Sequence, residues 1–169
     1  MDGIRFPAAG RIGLPTIMAL SALAGCAVAP QAPSQPLVAA RALQIDPEAA
    51  RGLISTYRGE RGLAPVRLDP TLRTLAQDQA DAMAKADHLS HEVQGPLSTR
   101  LARARLAQAT AVENVSAGYA TTQAVFVGWC RSPAHNANLL DPAMRRMGIA
   151  AAEAPGTRYK FYWALVMTD

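Results

Sequence analysis

Apolar residues recur along this chain in three patterns, and each predicts a different kind of element. From Ile12 to Ala24 nearly every position is apolar or small, with no polar face. Such a run is too short to span a bilayer as a stable helix and has the length of a signal-peptide core. Helical spacing comes next: Ala50, Leu53, Ile54 and Tyr57 share one face behind Asp46-Pro47-Glu48. That tripeptide supplies an N-cap, a proline suited to the first helical position and an early acid. Gly59 and Gly62 end the helix. Leu68-Asp69-Pro70 repeats the device and opens a second helix, with Leu72, Leu75, Ala76, Gln79 and Met83 as its inner stripe. Gln79, a polar residue on that stripe, reads as a core side chain that needs a hydrogen-bond partner. A short helix is predicted over Ser98 to Leu106, with Arg100, Arg103 and Arg105 on a solvated face. Another, Gln123 to Arg131, is capped by Thr121-Thr122 and is apolar nearly all round, which predicts burial on more than one side. The third pattern is strand-like. Val112 to Tyr119 reads as a loop with strand character; Met147 to Ala152 and Tyr159 to Met167 read as strands joined by a turn at Ala154-Pro155-Gly156. Helices come first and strands concentrate late, which is an α+β layout.

With 169 residues, half of them hydrophobic, the chain is long enough for one globular domain with a real core. A formal charge of +4, without like-charge runs or interleaved aromatics, excludes nucleic acid as an expected partner. Charge changes the reading of the N-terminus more. Arg5 and Arg11 precede the apolar run, and Leu23-Ala24-Gly25-Cys26 follows it in the pattern of a bacterial lipobox. In that pattern the signal is cut before the cysteine, which then carries acyl chains and anchors the protein stably. Ala27 to Val38 holds three prolines among Gln, Ser and Ala, an extended tether. The expected organisation is a signal peptide over 1–25, a lipidated Cys26 and Pro/Ala-rich tether over 26–44, and a domain over 45–169. The expected partner is a membrane reached through the anchor, and the expected place is the cell envelope (the outer membrane or periplasm of a Gram-negative host), or outside the cell. A monomer is expected. Acylation of Cys26 leaves Cys130 alone and excludes an intramolecular disulfide.

Candidate chemistry gathers around Trp129 to Leu140, where an apolar segment meets Ser132-Pro133 and the break delivers His135. His91, in an irregular stretch ahead of Gly95-Pro96, and Glu113 are placed to join it. Two neutral imidazoles can hold a zinc ion at about 2.0–2.1 Å and leave positions for water. Glu113 is either a third ligand or the acceptor that orients one imidazole. The bland alternative is that the three simply hydrogen-bond loops together. No His-Glu-x-x-His run is present, which speaks against an ordinary zinc protease. Ser90 reads as a loop-shaping residue, Cys130 as a buried and inert thiol, and His88 as solvent-facing.

The ordered series Tyr57-Arg58, Gly62-Leu63, Leu68-Asp69-Pro70, Leu89-Ser90-His91, Glu113-Asn114-Val115, Ala117-Gly118, Trp129, Ser132-Pro133-Ala134-His135, Asn138-Leu139-Leu140 and Met147-Gly148-Ile149 resembles the CAP superfamily. That superfamily joins cysteine-rich secretory proteins, venom antigens, pathogenesis-related proteins and bacterial secreted relatives, and the resemblance covers about residues 47 to 169. It implies an α-β-α sandwich, a small antiparallel sheet between helical layers, with an open cleft. It also implies that His91, His135 and Glu113 line the cleft. Eukaryotic members carry a second glutamate three residues after the tryptophan; Ser132 stands there in this chain. The family supports lipid or sterol binding, signalling, metal binding and occasional proteolysis, so one fold does not imply one chemistry. The function expected is a binding module whose cleft holds a divalent metal, with zinc as optional cofactor, or a small amphipathic or peptide-like ligand. The enzyme alternative is a metal-assisted hydrolase of envelope peptide or glycan, with Glu113 as general base; a third is an interaction partner with an idle site.

Overall fold

The computed structural model describes residues 45–169. The signal peptide and tether read from the sequence, and Cys26 with them, lie outside the described residues.

Among the described residues nine elements follow in the order α1 (Pro47–Gly59), β1 (Arg67–Leu68), α2 (Pro70–Ala86), α3 (Leu97–Arg103), β2 (Ala111–Ala117), α4 (Thr122–Arg131), α5 (Pro133–Leu139), β3 (Arg146–Glu153) and β4 (Phe161–Thr168). Both Asp-Pro starts act as read. Asp46 accepts from the Ala49 amide, and Asp69 accepts from those of Thr71 and Leu72, each aspartate satisfying donors that the first turn leaves unpaired. Helix α2 ends on Asp87 in the left-handed region, φ 45°, where the Asp87 and His88 amides close onto Ala84 and Met83 carbonyls.

The four strands form one sheet in the order β1-β3-β4-β2. β4 pairs antiparallel with both neighbours, while the two residues of β1 run parallel to β3. The sheet is therefore mixed, with a short parallel edge added to an antiparallel triplet. β4 is buried along all eight positions because each face has its own helical layer. Trp163, Leu165 and Met167 point to one layer with Ile54, Val125, Trp129 and Leu139 from α1, α4 and α5. Tyr162, Ala164 and Val166 point to the other with Leu72, Ala76, Ala80 and Met83 of α2 and Leu101 of α3. Strand alternation on one central ribbon thus builds an α-β-α sandwich from two cores.

Two close approaches explain residues that look incidental in the sequence. A side chain at Gly148 would overlap the Leu72 and Arg73 backbone, so this glycine lets β3 lie against the first turn of α2. Arg58, fully buried, donates to the carbonyls of Ala64, Leu139, Asp141 and Met144 at 2.8–2.9 Å. It ties α1 to the chain leaving α5. Helix α4 is less enclosed than its composition predicts. Val125 and Trp129 are buried and Phe126 and Val127 half-buried, but Gln123 and Ala124 face solvent. No helix among the described residues is long and apolar enough to cross a membrane.

Candidate functional site

The site lies at the edge of the sheet formed by β2, where residues from both helical layers meet. One wall is the loop between α2 and α3, whose shape is set by side chains that grip its backbone. Gln79 donates to the Ser90 carbonyl at 2.7 Å, Gln94 donates to that of Asp78 at 2.6 Å, and the Ser90 hydroxyl accepts from the Glu92 amide at 3.0 Å. The bend is completed by Gly95 at φ 84°. Gln79 and Ser90 thereby hold His91 in place without offering chemistry of their own. The His91 side chain is 55 % exposed, while its Nδ1 lies 2.9 Å from Oε1 of Glu113 on β2.

Glu113 points to the α2–α3 side and its carboxylate is buried. Its second oxygen, Oε2, accepts from Arg100 Nη2 at 2.7 Å, and Arg100 is equally enclosed. The solvated face predicted for Arg100 is therefore corrected: this arginine is an internal counter-ion. Arg103 and Arg105 are exposed as read. The signal that distinguishes them is helical arithmetic. Starting α3 at Leu97 places Leu97, Arg100, Leu101 and Ala104 on one stripe, and a charge on such a stripe must find an internal partner.

The other wall is the corner between α4 and α5. The Trp129 indole donates to the Ser116 hydroxyl at 2.8 Å, which pins the end of α4 to β2. Ser132 leaves helical geometry at φ −91°, ψ 117°, and Pro133 begins α5, so His135 falls in the first turn of a new helix. Sequence patterning shows the break but not this helix, because its seven residues carry only one buried position, Leu139. Asparagines bind the corner to β2. Asn138 Nδ2 donates to the Glu113 carbonyl at 3.0 Å and to Asn114 Oδ1 at 2.8 Å, and Asn114 donates to the His135 carbonyl at 3.1 Å. Glu113 and Asn114, adjacent on an alternating strand, thus serve opposite walls.

His135 is half-buried, and burial first, then the neighbouring His91, lower its pKa from the ordinary histidine value. Both causes favour the neutral ring, the form that can ligate a metal. Among the described residues no group of three or more His, Cys, Asp or Glu side chains is arranged to hold an ion. The Glu113 oxygens are engaged with Arg100 and His91, so the remaining candidate ligands are the two imidazoles. Imidazole nitrogen is a donor type that zinc takes, and Glu113 contacts His91 at the other ring nitrogen, Nδ1. His88 is exposed and away from these contacts. Cys130 is half-buried rather than enclosed; burial, the leading cause, pushes its thiol pKa up, so the thiolate is disfavoured.

Next to this corner a groove of about 540 Å³ runs between α1 and α4, lined by Leu53, Tyr57 and Phe126 together with the polar Thr56, Glu60 and Gln123. Tyr57 meets Phe126 edge-on at 5.7 Å, and its hydroxyl donates to Asn136 Oδ1 at 2.8 Å, beside His135.

The fold has counterparts elsewhere. An uncharacterized protein, YkwD, of Bacillus subtilis (strain 168) is 26 % identical over 104 residues, covering 60 % of this chain and 40 % of its own length. A Bacillus anthracis extracellular protein containing an SCP domain superposes with TM-score 0.63 at 22 % identity, covering 72 % of this chain and 39 % of that one. An outer surface protein from Borrelia burgdorferi superposes with TM-score 0.65 at 16 % identity over 72 % of this chain and 90 % of its own. The chain thus spans about two fifths of the length of the two Bacillus proteins. Residues 52–167 match the family described as CAP, the cysteine-rich secretory protein family, and this chain belongs to it.

Proposed function

We propose that this chain is a secreted or lipid-anchored binding module of the cell envelope, whose edge site takes a zinc-like divalent ion through His91 and His135. What supports the reading is that two imidazoles flank the β2 edge near enough to influence each other's charge, one bonded through Nδ1 to a buried carboxylate and the other held toward its neutral form by burial. When bound, the ion would offer an open, positively charged position to a ligand's oxygen or nitrogen atoms. The amphipathic part of such a ligand fits the α1–α4 groove, whose volume is that of a small-molecule site and whose Tyr57 reaches the His135 helix through Asn136. The extracellular and outer-surface descriptions of the structural neighbours support an envelope location. Hydrolysis is the weaker reading, because a general base needs a free carboxylate oxygen and both of Glu113's are engaged.

Calorimetric titration of zinc into the protein, beside a His91→Ala/His135→Ala double variant, tests the ion site. Binding is expected in the parent and lost in the variant; equal binding in the two, or none in the parent, removes it.

A further inference from the structure

We propose that Arg100 is a positioning residue for the edge site: it fixes His91 as the Nδ1–H tautomer, through Glu113, and so leaves Nε2 as the open nitrogen. This deepens the function proposed above and rests on that reading for its consequence, though not for its geometry.

The contrast with Arg58 shows what kind of arginine this is. Arg58 spends its donors on four backbone carbonyls of the scaffold. Arg100, buried to a similar degree, leaves Nη1 without a protein partner and puts its shortest contact, 2.7 Å, on a side-chain carboxylate. Its other contacts are the His91 and Gly95 carbonyls, both at 3.3 Å. One guanidinium therefore holds His91 twice: directly at its backbone, and at its ring by way of Glu113. Leu97 and Leu101 seat α3 against the α2 layer, so the planar group stands on a packed element.

The chemistry follows from donor and acceptor rules. A carboxylate paired with a guanidinium through one oxygen offers the other only as an acceptor. The nitrogen facing it must then carry the hydrogen. In a neutral imidazole only one nitrogen does, so a hydrogen on Nδ1 leaves Nε2 with a lone pair. Metal-ligating histidines are oriented in this way by the partner of their other nitrogen. Without Arg100 the Glu113 carboxylate has no counter-charge holding it toward the ring, and the tautomer is no longer specified.

The test uses the metal-free full chain, labelled with ¹⁵N, at about pH 8, above the ordinary histidine range. The ring nitrogens of His91 report directly which one bears hydrogen. Wild-type protein is expected to show Nδ1–H and bare Nε2. Arg100→Met is expected to shift His91 to a mixture with the Nε2–H form, while Arg100→Lys, which keeps a charge for Glu113, retains Nδ1–H. The His135 signals, on the opposite wall, serve as the control for folding. An Nε2–H His91 in the wild type overturns the proposal whether or not any variant folds. So does a folded Arg100→Met whose His91 remains wholly Nδ1–H. Zinc titration is read separately: where the parent binds, Arg100→Met is expected to bind about 10–100-fold more weakly. A parent that binds no zinc sinks the ion site alone, since the tautomer is measured without metal.

Discussion

Arg58 donates to four carbonyls from two separate stretches, Ala64 on one side and Leu139, Asp141 and Met144 on the other. Removing it would take the donor from the Ala64 and Leu139 carbonyls, at about 1–3 kcal/mol each, and one of two donors from those of Asp141 and Met144, which keep the Met144 amide and the Arg145 guanidinium. Arg58→Met is therefore expected to lower unfolding free energy by at least about 3 kcal/mol in urea, and Arg58→Lys, with a compact charge and three donors, to recover only part of it. His135 makes a prediction of opposite character. Its folded-state pKa lies below the ordinary value, so the unfolded chain takes up its proton first as pH falls. The stability this group contributes is present above about pH 6.5 and is lost progressively below it. Urea midpoints at about pH 7.5 and about pH 5.5 check this: the drop in the wild type should be larger than in His135→Asn.

Among the elements, the contact between β3 and the start of α2 depends on a missing side chain. Gly148→Ala would force the Leu72–Arg73 backbone away from the sheet and is expected to destabilise by about 1–3 kcal/mol or more. Gly52→Ala, within α1 and with open space at its Cβ, is expected to add about 0.5–1 kcal/mol of stability through helix propensity and so to raise the melting temperature. Thermal melts of the two variants separate a packing glycine from a merely flexible one. The elements that were legible in the sequence share strong local signals. The Asp-Pro starts of α1 and α2, the α2 stripe through Gln79 and Met83, and the apolar runs of β3 and β4 needed no tertiary context. What escaped was short or long-range. β1 has two residues and exists only through pairing with β3, and α5 has seven with one buried. At the site, His91, Glu113 and His135 were legible as types at suggestive positions. Arg100 and the Asn114–Asn138 bridge were not, because their partners lie 13 to 24 residues away.

For the described domain taken whole, both cores hang on one ribbon. Alternate residues of β4 enter opposite layers, so a cavity in either layer must be felt through the same strand. Leu72→Ala, in the layer of α2, is expected to lose about 2–5 kcal/mol. The chain's two tryptophans, Trp129 and Trp163, sit in the other layer. Their fluorescence midpoint should nevertheless move with the far-ultraviolet circular dichroism midpoint, as a single cooperative transition requires. Separate midpoints would mean that the layers unfold independently.

The two ends of the sheet bear on how copies of the protein behave beside one another. At one end β1 stops after Leu68, against Asp69 and Pro70; at the other, Asn138 already occupies the Glu113 carbonyl on the outer strand. A neighbouring strand thus meets only two residues of ladder at β1 and, on β2, a row interrupted at the Glu113 carbonyl. Crowded copies are expected to remain separate particles, with a light-scattering mass that does not grow on concentration. Asn138→Ala is the change that would expose the longer border.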